Sequence, residues 1–161
     1  MTDPLPLPQS VLDLVENQPV EDMLLAILRK GLPDVPVVSL IAADPPPHFI
    51  LVRRQTGLGD WRGDPRFTDT GRFVVHTFTQ DPDGDTKGAL LSEAVRVILR
   101  TAWLEHWKFP GLGSVIQIDM KSEPSRKTDW ATASGPVQYA DLPTGYWRYE
   151  SVYSIKIRKP S

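Results

Sequence analysis

One unbroken stretch, Gly71 to Trp107, constrains the chain more than any other. It opens as GRFVVHTFTQ, in which Phe73, Val75, Thr77 and Thr79 fall on one side of an extended backbone and Val74, His76 and Phe78 on the other. Both sides are apolar enough for a strand inside a sheet. DPDGD follows as a turn. The next residues, TKGALLSEAVRVILRTAW, repeat Leu91, Ala94, Val95, Ile98, Ala102 and Trp103 at three- and four-residue spacing, with Glu93, Arg96 and Arg100 opposite. A strand handed straight to an amphipathic helix implies a helix lying on its own sheet.

The helix start carries two competing signals. Asp85 is placed to accept from the free amides of the first turn, and its charge suits the positive end of the dipole. DPDGD also has the texture of a calcium loop, but Thr86 stands where that loop needs glycine and Ser92 where it needs the bidentate glutamate. Asp, Pro and Gly are ordinary turn residues, so turn plus cap is the expected reading.

The 161 residues suffice for one domain with a real core, and the balance of 40% hydrophobic to 24% charged residues is that of a globular protein. With no cysteine the chain has neither disulfides nor thiol chemistry, which fits a reducing compartment. A formal net charge of -2 supplies no overall field for nucleic acid, so DNA contact requires a local basic patch or a ring of subunits. No apolar run reaches the ~20 residues that span a bilayer, and MTDPLPLPQS lacks the basic start and apolar centre of a signal peptide. The expected site of synthesis is the cytoplasm, with no membrane contact.

Residues 1–18 read as an N-terminal arm and residues 19–161 as a single α+β domain. PLPLP favours an extended backbone; it is either a frayed end or an arm that docks Leu5 and Leu7 on a neighbouring subunit. Ser10 to Val15 offers a short turn. Pro19 suits a helix start, Val20, Met23, Leu24, Ile27 and Leu28 form an apolar stripe, Arg29 and Lys30 complement the far end, and Gly31 supplies a left-handed stop. Val35 to Ile41 reads as a strand ending in the stiff ADPPP, and His48 to Arg54 as the next strand.

Between Arg53 and the Gly71 strand lies a connection longer than a hairpin loop. It carries Arg54, Trp61, Arg62, Asp64 and Arg66, a composition found at interface hot spots. The other reading folds Trp61 back on the sheet. GLGDWRG is no phosphate loop, because no helix follows and no lysine of that motif is present. After the long helix, HWKFPGLG breaks the chain and Ser114 to Met120 forms a strand. Lys121 to Gly135 is a polar excursion with Arg126, Lys127 and Trp130. PVQYAD precedes the last strand, Tyr146 to Arg158, which places Trp147, Tyr149, Tyr153, Ile155 and Ile157 on one face and Arg148, Glu150, Lys156 and Arg158 on the other.

Catalytic signatures are absent from the sequence. His48, His76 and His106 show no metal-ligand spacing, and there is no GxSxG elbow. His76 reads as a packed sheet residue, and His106 suits the negative end of the helix dipole. No catalytic residue, cofactor or metal is expected. The element order implies a two-layer α+β domain, a mostly antiparallel mixed sheet covered on one face by two helices.

Taken in order, LVRRQTGLGDWRGDPRFTDTG, RFVVHTFTQDPDGDTKGALLSEAVRVILRTA and the terminal YESVYSIKIR resemble the tail-terminator (tail-completion) proteins of long-tailed bacteriophages, particularly those of actinobacteria. The resemblance runs from about Val35 onward and rests on order and texture, since that family has no short diagnostic motif. It implies a non-enzymatic virion protein at the head-tail junction, assembled in the host cytoplasm. Such proteins form hexameric rings on the tail tube, stop its polymerisation and present a surface to the head-completion (stopper) protein, with DNA passing through the lumen without sequence reading. Contacts with the tube protein or a neighbouring subunit would fall on Arg54, Trp61, Arg62, Asp64 and Arg66 in one loop and Arg126, Lys127 and Trp130 in the other. Two alternatives stay open: another connector component such as a head-closure protein, or a small α+β hydrolase or ligand-binding domain using His76, Asp81, Asp83 and Asp85. Replacing Trp61 and Arg62 with alanine is expected to leave the circular dichroism melt unchanged and impair assembly; loss of folding would instead assign Trp61 to the core.

Overall fold

A computed structural model describes residues 6–15, 18–55, 63–80, 82–127 and 146–160. At its centre two long strands, β3 (Thr68–Gln80) and β6 (Tyr146–Arg158), pair antiparallel from Thr68 opposite Arg158 to Gln80 opposite Tyr146. Around them lie α1 (Gln9–Leu12), α2 (Val20–Gly31), β1 (Val37–Val38), β2 (His48–Arg54), α3 (Gly84–Leu104), β4 (Lys108–Phe109) and β5 (Gly113–Lys127). The six strands run β1-β2-β3-β6-β5-β4 across the sheet, and only β1 with β2 is parallel. This is the expected α+β architecture.

The helices cover one face. Phe73 and Val75 of β3, Ile50 and Val52 of β2, Tyr153, Ile155 and Ile157 of β6 and Val115 and Ile118 of β5 bury against Val20, Met23, Leu24, Ile27 and Leu28 of α2 and Val95, Leu99 and Ala102 of α3. Met23 is plain core filling, as its place in the stripe implies. The α3 stripe is rotated from the sequence pattern. Leu99 and Ser92 are buried and Ala94 is half-buried, because the N-terminal half of α3 faces the sheet with its smallest residues. A Cβ on Gly84 would strike Trp147, and one on Gly88 would lie 2.8 Å from the Tyr149 ring. These two glycines let the helix rest on two aromatic rings.

The opposite face holds a smaller apolar cluster, Phe49, Leu51, Phe78 and Tyr146, with Val38 and Ile41 against it. Phe49 stacks on Phe78 at 4.7 Å, and the Tyr146 hydroxyl donates to the Pro45 and Pro46 carbonyls at 3.1 and 2.6 Å. The proline connection is therefore tied over this face.

Several local expectations are corrected. The strand expected over Val35 to Ile41 is only Val37–Val38, since the chain then turns to bring Ile41 onto the second cluster. β3 begins at Thr68, three residues earlier than Gly71, which shortens the connection that precedes it. Lys121 to Lys127 is not loop but the continuation of β5, paired to β6 through backbone groups while its side chains stay polar. Gly31 is the last helical residue of α2 without a left-handed φ; a Cβ there would strike Ile98, so it serves the approach of α2 to α3. Asp85 makes no side-chain cap, and the N-cap is Asp83 in the left-handed region at φ 61.

The cap of α2 comes from elsewhere in the chain. The Val20 amide donates at 3.0 Å to the carboxylate of Asp69, a buried residue of β3. A negative group at a helix N-terminus is favourable both as acceptor and against the dipole. At the other end of α2, the Lys30 ammonium sits 4.3 Å from the Trp107 ring centre, which joins the two helix ends. His106 turns the chain there at φ 48, its Nδ1–H donating to the Val115 carbonyl at 2.9 Å. Of the N-terminal arm, residues 6–15 are exposed throughout and form a single helical turn at Gln9–Leu12; Leu5 lies outside the described residues.

Gly88 gives a direct test of the helix contact. Alanine is intrinsically better in a helix by up to ~1 kcal/mol, but Tyr149 cannot yield freely because its hydroxyl is held by Asp85 at 2.6 Å. Gly88→Ala is expected to destabilise by about 1–3 kcal/mol in urea unfolding, and Tyr149→Ala in that background to recover part of the loss.

Candidate assembly surfaces

The residues singled out by the sequence do not meet in one place. Arg54 ends β2, opposite Phe73; its guanidinium donates to the Thr70 carbonyl at 3.3 Å and lies 5.8 Å from the Phe73 ring centre. Asp64 and Arg66 form a self-contained turn. Arg66 donates through Nη2 to Asp64 Oδ2 at 2.8 Å and through its backbone amide to Oδ1 at 3.0 Å, while Thr68 donates its amide to the Asp64 carbonyl at 2.9 Å. The Arg66 side chain and then its amide hold the Asp64 carboxyl below its ordinary range. Both groups are solvent-exposed, so this pair shapes the loop more than it stabilises the fold. The Lys159 amide closes on the Phe67 carbonyl at 2.7 Å, fixing the loop base to the end of β6. Trp61 and Arg62 lie outside the described residues.

Arg126 and Lys127 occupy the other end of the sheet, on β5 opposite Tyr149 and Arg148. Arg126 is not a bare surface cation. It approaches Asp85 at 3.3 Å and lies 5.4 Å from the Trp147 ring centre, and the Tyr149 hydroxyl donates to the same Asp85 at 2.6 Å. That hydrogen bond raises the Tyr149 phenol above its ordinary value. Lys127 is exposed, and Trp130 lies outside the described residues. The sequence holds no adjacency that announces this Asp85, Tyr149, Arg126 and Trp147 cluster. Its one faint signal is Gly84 and Gly88, a four-residue spacing of glycines in a helix that needs a close neighbour.

His76 sits on the sheet face away from both helices, 5% exposed, between Leu51 and Glu150 in register. Arg148 Nη1 is 3.4 Å from its Nδ1 and 2.9 Å from Glu150. Because arginine only donates, Nδ1 is the acceptor and the ring proton belongs on Nε2. Burial first, then Arg148 and Arg53, push the imidazole down to about 3. A base that far below neutral is poorly matched to proton transfer at pH 7. A cleft of about 370 Å³ between α3 and β5, lined by Ser92, Glu93, Arg96, Met120 and Tyr149 among others, opens on the opposite side of the sheet from His76. Among the described residues no three acidic or histidine side chains gather as a metal site; Asp81 lies outside them. No helix among the described residues is long and apolar enough to cross a membrane.

No family model and no curated protein matches the chain. Solved structures do match the chain. One, bearing no functional name, is 13% identical with a TM-score of 0.46 and covers 97% of this chain and 99% of its own. A likeness that loose carries no argument.

His76 generates a measurable pH dependence. Its folded value lies below the unfolded one, so the unfolded chain binds the extra proton and stability falls as pH drops from about 6.5 towards about 3. Between pH 7 and pH 5 the loss is expected to be about 2 kcal/mol, a window above most carboxylate titration. Urea unfolding of native protein and His76→Gln at both pH values should show the drop only in the former.

Proposed function

We propose that this chain is a structural virion protein that forms a ring on the end of a long-tailed phage tail tube, stops its growth and offers the surface for head joining. One observation supports this above the rest: the two groups of exposed candidate residues stand at opposite ends of one stiff sheet. Arg54, Asp64 and Arg66 lie by the end where Thr68 meets Arg158, and Arg126 and Lys127 by the end where β6 begins. From Tyr149 to Arg158 the strand rises about 30 Å at ~3.3 Å per residue. A subunit joining a tube below to a stopper above requires two separated contact regions of this kind. The neutral, packed His76 and the Asp85 network favour this binding role over the hydrolase reading. The protomers would be homologous copies closed by cyclic symmetry, about six to a ring, at the neck of the virion and in the host cytoplasm during assembly.

The partners are then the major tube protein, the stopper and neighbouring copies. Light scattering with and without purified tubes, followed by electron microscopy of tube ends, tests the ring. A concentration-independent monomer that ignores tubes would overturn the reading. Arg54→Glu with Arg66→Glu and, separately, Lys127→Glu are expected to split the phenotype: one set abolishes tube capping, the other leaves capped tubes that fail to join heads.

A further inference from the structure

The cleft between α3 and β5 owes its shape to a fault in strand pairing. Val152 of β6 faces Ser122 and Glu150 faces Ser125, so three steps along β5 match two along β6, and the extra residue bulges at Glu123 and Pro124, opposite Ser151. A bulge bends its strand and re-aims its side chains. This one sets Glu123 and Pro124 on the cleft, across from Glu93 and Arg96 of α3. Two groups here are left over. The Arg96 guanidinium is committed to Glu93, donating through Nε at 2.9 Å, and the Tyr149 hydroxyl to Asp85 at 2.6 Å. Glu123 is exposed and makes no ion pair among the described residues. Tyr153, only 2% exposed, carries a hydroxyl with no hydrogen-bond partner among the described residues. The ladder sets Tyr153 beside Met120, another wall of the cleft, and the charges acting on its phenol are Arg96 and Glu93. Its oxygen therefore ends just behind the inner wall. A buried hydroxyl left unpaired is costly, and calls for a partner that the fold itself does not supply.

We propose that this cleft binds an organic cation, an ammonium or guanidinium head on an aliphatic stem. Glu93 and Glu123 against Arg96 leave its walls with one negative charge in excess. Glu123 supplies the counter-charge, the Tyr153 oxygen a neutral acceptor at the inner end, and Ala89, Met120 and Pro124 an apolar wall for the stem. Met120 is unbranched and 39% exposed, so it can swing aside and let the head reach Tyr153. An anion would find the Arg96 fork already spent on Glu93. Such a head and stem come either as a lysine or arginine of a neighbouring protein or as a free alkylamine, and the site recognises what the two share. The site goes beyond the ring reading and does not depend on it.

The chain has three methionines, so carbon-13 labelling of their methyl groups makes Met120 a reporter in the wall, with the fully buried Met23 as internal control. Titration of the full chain with butylammonium chloride is expected to move the Met120 resonance along a saturating curve with a roughly millimolar Kd, the strength a few such contacts supply. Met23 should stay in place, and sodium butyrate should move neither. Glu123→Gln is expected to weaken binding roughly two- to fivefold, as loss of an exposed ion pair does, and Tyr153→Phe roughly three- to tenfold. Glu105→Gln, which removes the same charge from the exposed end of α3, should bind as the native chain does. Tyr153→Phe also reports on the hydroxyl without ligand: its thermal midpoint should match or exceed the native one, because no hydrogen bond is lost. The absence of a saturable Met120 shift, an equal response to butyrate, equal weakening in Glu105→Gln, or a lowered midpoint in Tyr153→Phe would each overturn the proposal. Acetyl-Gly-Lys-Gly-amide titrated in parallel separates the two sources: tighter binding than butylammonium assigns the site to a neighbouring protein's side chain, and equal or weaker binding to a free amine.

Discussion

Everything in this molecule leans on the antiparallel ladder between β3 and β6. It is the central pair of the sheet, and it runs unbroken while the neighbouring β5 shifts register three times. Its side chains supply both cores: Phe73, Val75, Tyr153, Ile155 and Ile157 on the helix side, Phe78 and Tyr146 on the other. It also supplies the device that seats α2, through Asp69, and the rings that seat α3, through Trp147 and Tyr149. Two layers are thereby positioned by one pair of strands.

The parts of this fold legible in the sequence are those with a strong period. β3, α2, α3 and β6 each repeat apolar residues over three or more turns or pleats; burial follows that repeat in β3, α2 and β6, and in α3 is rotated onto Gly84, Gly88, Ser92 and Leu99. The missed features depend on contacts between distant residues. Nothing near Val20 says that its cap is Asp69, nor near Asp85 that its partners are Tyr149 and Arg126. β5 was legible only to Met120 because sequence pattern registers burial, whereas its last residues are polar and are held by backbone pairing to β6 and by the contacts of Arg126 with Asp85 and Trp147. The candidate site was half legible. Composition marked the two loops as surface features, but the separation of Arg54 and Arg66 from Arg126 follows from strand direction, and the cleft beside Glu123 from a bulge in register that no linear reading contains.

The sheet's two margins differ in kind. β1 is two residues long, too short to template another strand. On the side of β5 away from β6, no strand among the described residues pairs beyond the two residues facing β4, but β5 carries Pro124, Lys121, Glu123 and Arg126 and bulges repeatedly. Proline, charge and bulges are what blunt an open edge against indefinite strand addition. A chain built this way favours contacts through side chains and loops over strand-on-strand addition.

The order of the strands has a kinetic meaning. β6 enters the sheet between β3 and β5, although it is made after both. Until it arrives, β3 and β5 have no common partner, α3 has no aromatic bed, and the exposed apolar faces remain available to wrong neighbours. The decisive contacts join segments 66 to 90 residues apart, from Gln80 with Tyr146 to Thr68 with Arg158, so loop closure precedes most of the stabilisation and folding should be slow for the chain's size. Both long surfaces of the protein therefore come into being in a single late event, and a chain interrupted before β6 would present neither of them.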